Sequence, residues 1–207
     1  MSLFITFEGC EGCGKSTQSR LLKNYLEESG QPFVYAREPG GTEISEKIRG
    51  LILDKQNTAM TGECEALLYA AARCQLIYEV INPALAEGKI VILDRYIDSS
   101  FAYQSFARGL GYDFVAKANA YALEKCMPDV TVFLDVKPEQ AFSRKGGADS
   151  SDRIELEGLE FHKKVYYGYT ALKKLFPDRI VSFAAQGTKF ETHEIIKSYL
   201  QKKGLIK

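Results

Sequence analysis

One stretch near the start of the chain decides the fold: residues 3–17, which read LFITFEGCEGCGKST. Leu3 to Phe7 is a short apolar run with β-branched members, which is typical of a buried strand. Gly9 to Ser16 fits the pattern G-x-x-x-x-G-K-[ST], and from Lys15 onward apolar residues recur at helical spacing. A strand, this loop and a helix in that order predict a loop that wraps a phosphate group, here called the phosphate loop (residues 9–16).

The phosphate loop supplies what phosphate binding requires. Glycines let the backbone amides surround the anion, the side chain of Lys15 reaches the outer phosphates, and the hydroxyl of Ser16 is a ligand for Mg²⁺. The following helix adds its positive N-terminal end. The alternative is a glycine-rich turn that binds nothing, and the loop alone does not separate ATPases, GTPases and kinases.

Cys10 and Cys13 form a C-x-x-C pair inside this loop, which leaves a redox role open. Both occupy variable positions of the loop pattern, so we interpret them as small loop residues. The chain has five cysteines, and their odd number and irregular spacing argue against a disulfide framework. No second C-x-x-C or His pair in the sequence completes a zinc site.

The rest of the chain alternates short apolar runs with helical patterns. Strands are predicted at 33–36, 90–93, 130–134 and 180–183. Helices are predicted at 43–53, 63–85 (interrupted at Asn82 and Pro83), 114–125, 138–144, 156–175 and 191–202. Such alternation predicts a parallel, doubly wound sheet that binds ligands at the carboxyl ends of its strands. We therefore expect one α/β domain over residues 1–207, with five parallel strands.

Composition narrows the function classes. The 207 residues include 27 basic and 27 acidic side chains, and this balance argues against unspecific binding to nucleic acid or a membrane surface. No apolar run has the length of a signal peptide or a membrane span, so a cytosolic location is the expectation. Lys145 to Asp152 is rich in Gly, Ser, Ala and Asp, which predicts a flexible flap within a lid at about residues 144–155.

Two further segments carry charges suited to phosphates. Asp94 and Arg95 end the predicted strand 90–93, where Asp94 is placed to hold a Mg²⁺ ion and Arg95 to bind a phosphate with its guanidinium fork. A surface salt bridge is the alternative there. The lid contains Arg144 and Arg153, and an arginine brought by a mobile segment can stabilise phosphoryl transfer. A solvated loop without function is the alternative for the lid.

These residues together resemble thymidylate kinase of the bacterial type over essentially the whole chain. The resemblance rests on the following segments: residues 7–9 with the phosphate loop, 37–42 (REPGGT), 68–73 (LYAAAR), 94–96 (DRY), 98–100 (DSS), 102–104 (AYQ) and 128–129 (PD). It implies a P-loop NTPase-type fold with the five strands in the order 2-3-1-4-5. It also implies ATP with Mg²⁺ as phosphoryl donor and deoxythymidine monophosphate (dTMP) as acceptor.

The resemblance also implies roles for the donor site. ATP would contact the phosphate loop and its flank, namely Gly9, Cys10, Glu11, Gly12, Cys13, Gly14, Lys15, Ser16 and Thr17. Ser16 and Asp94 would hold the metal. Some family members carry a catalytic arginine inside the loop; here that position is Gly12, so the arginine would come from the lid, with Arg153 as the first candidate. Arg144 and the loop around Gln186 would contact adenine.

For the acceptor, the resemblance implies nine contacts: Glu11 with the 3′-hydroxyl, Arg95 with the phosphate, Arg37 and Glu38 in the same corner, Tyr69 stacked on thymine, Arg73 on a base carbonyl, Ser100 and Gln104 at the base edge, and Tyr103 against the sugar 2′ position. Family members usually carry Phe where this chain has Tyr69. Catalysis would rest on Lys15, Arg95, Arg153 and Glu11.

Alternatives stay open at this point. Tyr69 and Arg73 lie one helical turn apart, which suits a nucleobase, but an aromatic at helical spacing is also typical of a core. Tyr166 and Tyr167 either line the nucleoside pocket or pack in the core. Other acceptors, a nucleotide-dependent switch, and a thiol redox protein remain rival functions. The apolar helix 63–85 suggests a homodimer, as in the resembled family.

Overall fold

The computed structural model describes residues 2–144, 152–154, 156–185 and 187–207, with Phe142 and Arg144 described by their backbone alone. Most of the predicted lid, including Lys145, Glu155 and the Arg144 side chain, therefore lies outside the described residues. So does Gln186.

Five strands form one parallel sheet. They are β1 (Leu3–Glu8), β2 (Phe33–Arg37), β3 (Ile90–Asp94), β4 (Val130–Leu134) and β5 (Ile180–Phe183). Their order is β2-β3-β1-β4-β5, which confirms the predicted order. Ile5 of β1 is paired with Ile92 of β3 on one side and with Val130 of β4 on the other. The carboxyl ends of β1 and β3 therefore lie side by side, which brings the phosphate loop next to Asp94.

Helices flank the sheet. They are α1 (Lys15–Glu28), α2 (Glu43–Leu53), α3 (Gly62–Leu76), α4 (Asn82–Ala86), α5 (Ile97–Ser100), α6 (Tyr112–Ala118), α7 (Ala120–Lys125), α8 (Pro138–Arg144), α9 (Leu159–Leu175) and α10 (Lys189–Lys202). Two π-helical segments extend this set: Ile77–Ile81 joins α3 to α4, and Phe101–Ala107 continues α5. The long helix predicted at 63–85 is thus present, with a π-helical segment before Pro83.

The segment 114–125 was predicted as one helix, and that prediction was wrong. It is split between α6 and α7 at Asn119, whose φ is −105° and ψ is 17°. The Asn119 side chain donates from Nδ2 to the carbonyl oxygen of Val115 at 2.9 Å and accepts from Nη1 of Arg73 at 2.5 Å. An Asn side chain that bonds to nearby backbone competes with the helix, and here a distant arginine holds it in place.

The helix over residues 97–107 had no counterpart among the predictions. Its N-terminus has no side-chain cap of its own. Instead the carboxylate of Glu8, at the end of β1, accepts from the backbone N–H of Tyr96 at 2.7 Å and of Ser99 at 3.2 Å. A cap that comes from a residue about ninety positions away leaves no local sequence signal.

The core lies on both faces of the sheet. On one face, Leu22 and Leu26 of α1 pack with Ile196 of α10. On the other, Leu76 of α3 and Leu172 of α9 belong to a second buried cluster. Strands covered on both sides explain the continuous apolar runs in the sequence. Within the described part of the chain, no helix is long and apolar enough to cross a membrane.

Candidate active site

The phosphate loop turns sharply between β1 and α1. Gly9, Gly12 and Gly14 have φ values of 142°, 76° and 101°, which favour glycine. At Gly9 a Cβ atom would lie 2.8 Å from Sγ of Cys13 and from the carbonyl oxygen of Leu134, so no side chain fits. Gly14 precedes α1 without a side-chain cap. The first N–H groups of α1 are therefore placed to receive an anion.

Lys15 is held inside the loop. Its ammonium group donates to the carbonyl oxygen of Cys10 at 2.8 Å and lies 3.8 Å from Sγ of Cys13, and the residue is 5% exposed. Lys15 and Ser16 both line the cavity described below. A buried ammonium paired with neutral acceptors favours the approach of a negative group.

Cys10 and Cys13 are both buried, but in different places. Cys10 belongs to the apolar cluster on one face of the sheet and Cys13 to the cluster on the other. Burial, with a contribution from Cys13, raises the pKa of the Cys10 thiol to about 12, so it is protonated at neutral pH. All five cysteines of the chain are free thiols. A protonated, buried thiol is a poor nucleophile, which weakens the redox interpretation.

Arg95 lies directly after β3 and faces the phosphate loop. Its φ of 70° is the one positive value among the described non-glycine residues. Its Nη2 donates to Oε2 of Glu11 at 2.7 Å, and its guanidinium lies 5.1 Å from the centre of the Tyr103 ring. Asp94 is 8% exposed and lines the same cavity. Backbone strain at one non-glycine residue is commonly found at functional sites.

Glu8 lies beneath Arg95 and orders its surroundings. Its Oε2 accepts from Oγ of Ser99 at 2.6 Å and from the hydroxyl of Tyr169 at 2.8 Å. These two hydroxyls in turn lie 3.3 and 3.5 Å from Nη1 of Arg95. Burial, together with the nearby Asp98 carboxylate, raises the pKa of Glu8 from 4.5 to about 7. Sequence analysis did not select Glu8, since its role depends on partners distant in the chain.

One cavity of about 200 Å³ opens beside the loop. We call it the acceptor cavity, after the role that the resemblance implies for most of the predicted residues in its lining. Eleven of the residues that line it were predicted as site residues from the sequence: Glu11, Lys15, Ser16, Arg37, Glu38, Tyr69, Asp94, Arg95, Ser100, Tyr103 and Gln104. Seven further lining residues were not selected: Pro39, Arg49, Leu53, Ser99, Asp152, Ile154 and His162. The remaining predicted loop residues, Gly9, Cys10, Gly12, Cys13, Gly14 and Thr17, do not line it.

Arg73 lies behind the cavity, not in its lining. It is 1% exposed, and its five N–H groups are directed at protein acceptors. Nε and Nη2 bind the Glu38 carboxylate, with the shortest contact at 2.6 Å, and Nη2 also reaches the carbonyl oxygen of Tyr96 at 3.1 Å. Nη1 donates to Ser100 at 2.9 Å and to Asn119 at 2.5 Å. Arg73 thus fixes Glu38 and Ser100, which do line the cavity.

Two arginines give one corner of the cavity a positive charge. Arg37 and Arg49 both donate to the carbonyl oxygen of Pro39, at 2.7 and 3.0 Å. Burial, and then the neighbouring Arg37, lower the pKa of Arg49. Arg37 is paired with Glu46 at 3.1 Å, and Arg49 has no ion pair within the described part of the chain. Two guanidinium groups held together in this way favour an anionic ligand.

Tyr69 and Tyr103 line the cavity with aromatic rings. Burial, followed by the Glu65 carboxylate, raises the pKa of the Tyr69 phenol, so its hydroxyl stays protonated. The ring of Tyr103 packs edge-on against Phe161 and Tyr169, with centres 6.1 and 6.5 Å apart. Neighbouring rings thus hold Tyr103 in position, and its own ring can act as a rigid boundary of the cavity.

Arg153, the candidate catalytic arginine, lies against α2 and α3 in this structure. Its Nη2 donates to Oε2 of Glu65 at 2.5 Å, and its Nε to the carbonyl oxygen of Ile52 at 2.9 Å. Its neighbours Asp152 and Ile154 line the acceptor cavity, but Arg153 does not. The guanidinium would have to leave Glu65 to reach a phosphate in the loop.

The remaining candidate residues have other surroundings. Tyr166 donates to Oδ1 of Asp135 at 2.8 Å and packs against the core, and Tyr167 is 66% exposed. Neither lines the cavity. His162 is buried and does line it, which sequence analysis did not anticipate. His193 is buried on α10, away from the cavity lining.

Comparison with known proteins gives a consistent result. The family model described as thymidylate kinase matches residues 7–196. A thymidylate kinase of Thermoanaerobacter sp. (strain X514) is 46% identical over 201 residues, covering 95% of this chain and 98% of the relative. One from Bacillus velezensis is 49% identical, covering 90% and 89%. The crystal structure of thymidylate kinase from Ehrlichia chaffeensis superposes with a TM-score of 0.80 at 31% identity, covering 97% and 99%. The chain therefore belongs to the thymidylate kinase family, as its motifs predicted.

Proposed function

We propose that this protein transfers the terminal phosphoryl group of ATP to dTMP, giving ADP and dTDP. Its family consists of nucleoside monophosphate kinases. The observation that carries the proposal is the contact between the two halves of the site, because Arg95 of the acceptor side is paired with Glu11 of the phosphate loop at 2.7 Å. Donor and acceptor phosphates bound to these two elements would be neighbours, as transfer requires.

On the donor side, the loop amides and the N-terminus of α1 would surround the ATP phosphates. Lys15 would exchange its bond to Cys10 for a phosphate oxygen. Ser16 and Asp94 offer hard oxygen donors at the edge of the cavity, which is the donor type that Mg²⁺ prefers. When bound, Mg²⁺ would supply positive charge that offsets the charge of the phosphates.

On the acceptor side, Arg95 would hold the dTMP phosphate, with Arg37 and Arg49 adding positive charge to that corner. Tyr69 would stack on thymine. Ser100 and Gln104 would contact the base edge, and Arg73 would act on the base side, directly or through Ser100 and Glu38. Glu11 would accept from the 3′-hydroxyl, and the ring of Tyr103 would leave no room for a 2′-hydroxyl.

The lid would complete the reaction site. We propose that Arg153 leaves Glu65 when both substrates are bound and stabilises the charge on the transferred group. Arg144 and Gln186 stay the proposed contacts to adenine.

A coupled ADP-release assay with ATP and Mg²⁺ tests the function. The acceptors would be the deoxy and ribo monophosphates of thymidine, uridine, cytidine, adenosine and guanosine. We expect strong preference for dTMP and little ADP release without an acceptor. A preference for another acceptor over dTMP would overturn the assignment of Tyr69, Gln104 and Tyr103. Folded protein that binds ATP but shows no acceptor-dependent turnover would favour a nucleotide-dependent switch.

We also propose that the protein is a cytosolic homodimer formed through the helix from α3 to α4. Leu67 and Tyr78 on this helix are 53% and 72% exposed, which is a large apolar area to leave in water. Light scattering at micromolar concentration should give twice the chain mass of 23.2 kDa. A mass of one chain would contradict the dimer. An unchanged dimer in a Leu67→Glu, Tyr78→Glu variant would contradict the proposed interface. Cell fractionation tests the location.

A further inference from the structure

Glu65 of α3 is a buried carboxylate that binds three side chains from distant segments. It is 1% exposed. Its Oε1 accepts from Nε2 of Gln104 at 2.9 Å. Its Oε2 accepts from Nη2 of Arg108 at 3.1 Å and from Nη2 of Arg153 at 2.5 Å. Two guanidinium groups compensate the charge of this carboxylate, which makes its burial tolerable.

The contact with Glu65 determines which end of the Gln104 amide faces the acceptor cavity. An amide has one end that donates and one that accepts, whereas a carboxylate only accepts. The hydrogen-bond partner decides which end of an amide is oxygen and which is nitrogen. The Nε2 end of Gln104 must therefore face Glu65. Gln104 lines the cavity and, among the described residues, makes no other side-chain hydrogen bond. Its Oε1 is thus left to accept a hydrogen bond from a ligand.

We propose that Glu65 is a specificity-determining positioning residue, which fixes the Gln104 amide so that its oxygen accepts from the N3–H of a pyrimidine imide. The inference rests on the proposed function. Thymine and uracil carry N3–H, whereas N3 of cytosine is an acceptor. With the amide fixed, N3 of cytosine would face Oε1 of Gln104, and both atoms are acceptors. Neither would then have a donor, and a buried polar group without its hydrogen-bond partner is costly. Glu65 therefore excludes cytidylate without touching it.

The test is the ratio of kcat/KM for dTMP to kcat/KM for dCMP. In Glu65→Gln, residue 65 can donate as well as accept, so the Gln104 amide is free to turn and present its NH₂ group. We expect the ratio to fall at least about tenfold. The ratio for dTMP against dUMP should stay within about twofold, since both bases carry N3–H. A loss of fold stability alone would not change one ratio and leave the other.

Glu157→Gln is the matched control. Glu157 also pairs with Arg108, but it has no contact with Gln104. This variant should keep both ratios. An unchanged dTMP-to-dCMP ratio in folded Glu65→Gln would overturn the proposal, as would an equal fall in Glu157→Gln.

If Glu65→Gln does not fold, the exchange variant that combines Glu65→Gln with Gln104→Glu keeps the charge beside Arg108 and Arg153. A carboxylate at position 104 presents only acceptors, so the preference for dTMP over dCMP should persist, and a preference for dCMP would overturn the inference. Failure of the proposed function is distinguishable, because wild-type protein would then show no turnover of dTMP at all.

Discussion

Arg73 is a residue for which burial decides the effect of a substitution. Its guanidinium is the partner of the Glu38 carboxylate, and side-chain exposure is 1% for Arg73 and 4% for Glu38. In Arg73→Met the methionine occupies similar volume, but Glu38 is left as a buried charge without a partner. We expect the free energy of unfolding in urea to fall by about 3–5 kcal/mol.

Two controls separate this effect from a general loss of charge. Adding Glu38→Gln to Arg73→Met should restore part of the stability, because the unpaired charge is gone. Lys47→Met breaks an ion pair with Glu43 whose side chains are 72% and 83% exposed, and it should cost less than about 1 kcal/mol. Equal losses in Arg73→Met and Lys47→Met would contradict the argument.

Tyr103 provides a test of sugar selection at a single ring. Because Phe161 and Tyr169 hold the ring in place, it cannot move away from a 2′-hydroxyl. We expect Tyr103→Ala to raise kcat/KM for the ribose acceptor by about tenfold relative to dTMP, while Tyr103→Phe, which keeps the ring, leaves the ratio unchanged. If the ratio of ribose to deoxyribose turnover does not move in Tyr103→Ala, another residue excludes the ribose.

At the scale of elements, the proposed catalytic role of Arg153 requires its guanidinium to leave Glu65. We expect Arg153→Ala to lower kcat by about 10²–10³-fold while the KM for dTMP changes little, because an interaction made only in the transition state is lost. Single-turnover measurements would show whether the chemical step is slowed. Arg144→Ala should instead raise the KM for ATP. Unchanged kcat in Arg153→Ala would move the catalytic role to another arginine.

The elements that sequence could predict are those with local signals. The phosphate loop was predictable from residues 9–16, and the parallel sheet from the alternation of apolar runs and helical patterns around it. The strand order was implied by the family resemblance. Asp94 and Arg95 were predictable because they follow directly on a buried strand. The cavity residues named from the family motifs, such as Tyr69 and Gln104, lie together in the structure.

The elements that sequence missed depend on contacts between distant residues. Glu8 caps the helix at Ile97 from β1, and Asn119 is held by Arg73, 46 positions away. In the sequence, Glu65 is one of two acidic residues in the first turn of α3 and has no feature that sets it apart. Its contacts with Gln104 and Arg153 form only when the chain folds. Such roles have no period, no cap pattern and no spacing by which to recognise them.

At the scale of the whole molecule, stability should depend on pH through Glu8. Its pKa is raised from 4.5 to about 7 by burial and by Asp98, with Arg95, Ser99 and Tyr169 as opposing neighbours. The folded state therefore holds this proton in a range where the unfolded state releases it. The stabilisation is fully present below pH 4.5 and is lost as pH rises through about 7.

The measurement compares wild type with Glu8→Gln in urea at several pH values. The free energy of unfolding of the wild type should fall relative to the variant by up to roughly 3 kcal/mol as pH rises through this range. A difference between the two proteins that does not vary with pH would contradict the shifted pKa of Glu8.

The π-helical segment Phe101–Ala107 has a consequence for how the family can evolve. A π turn holds one residue more than an α turn. The loss of one residue here would therefore convert the segment to α-helix and leave the residues after it in nearly the same orientation. Arg108 would stay near Glu65, but Tyr103 and Gln104 lie inside the segment and line the cavity, and their side chains would turn relative to it. Active relatives should therefore tolerate substitutions between Ile97 and Arg108 far more readily than a change in its length, and a functional homologue with a gap there would refute this. On this argument, selection acts on the length of the segment as well as on its residues.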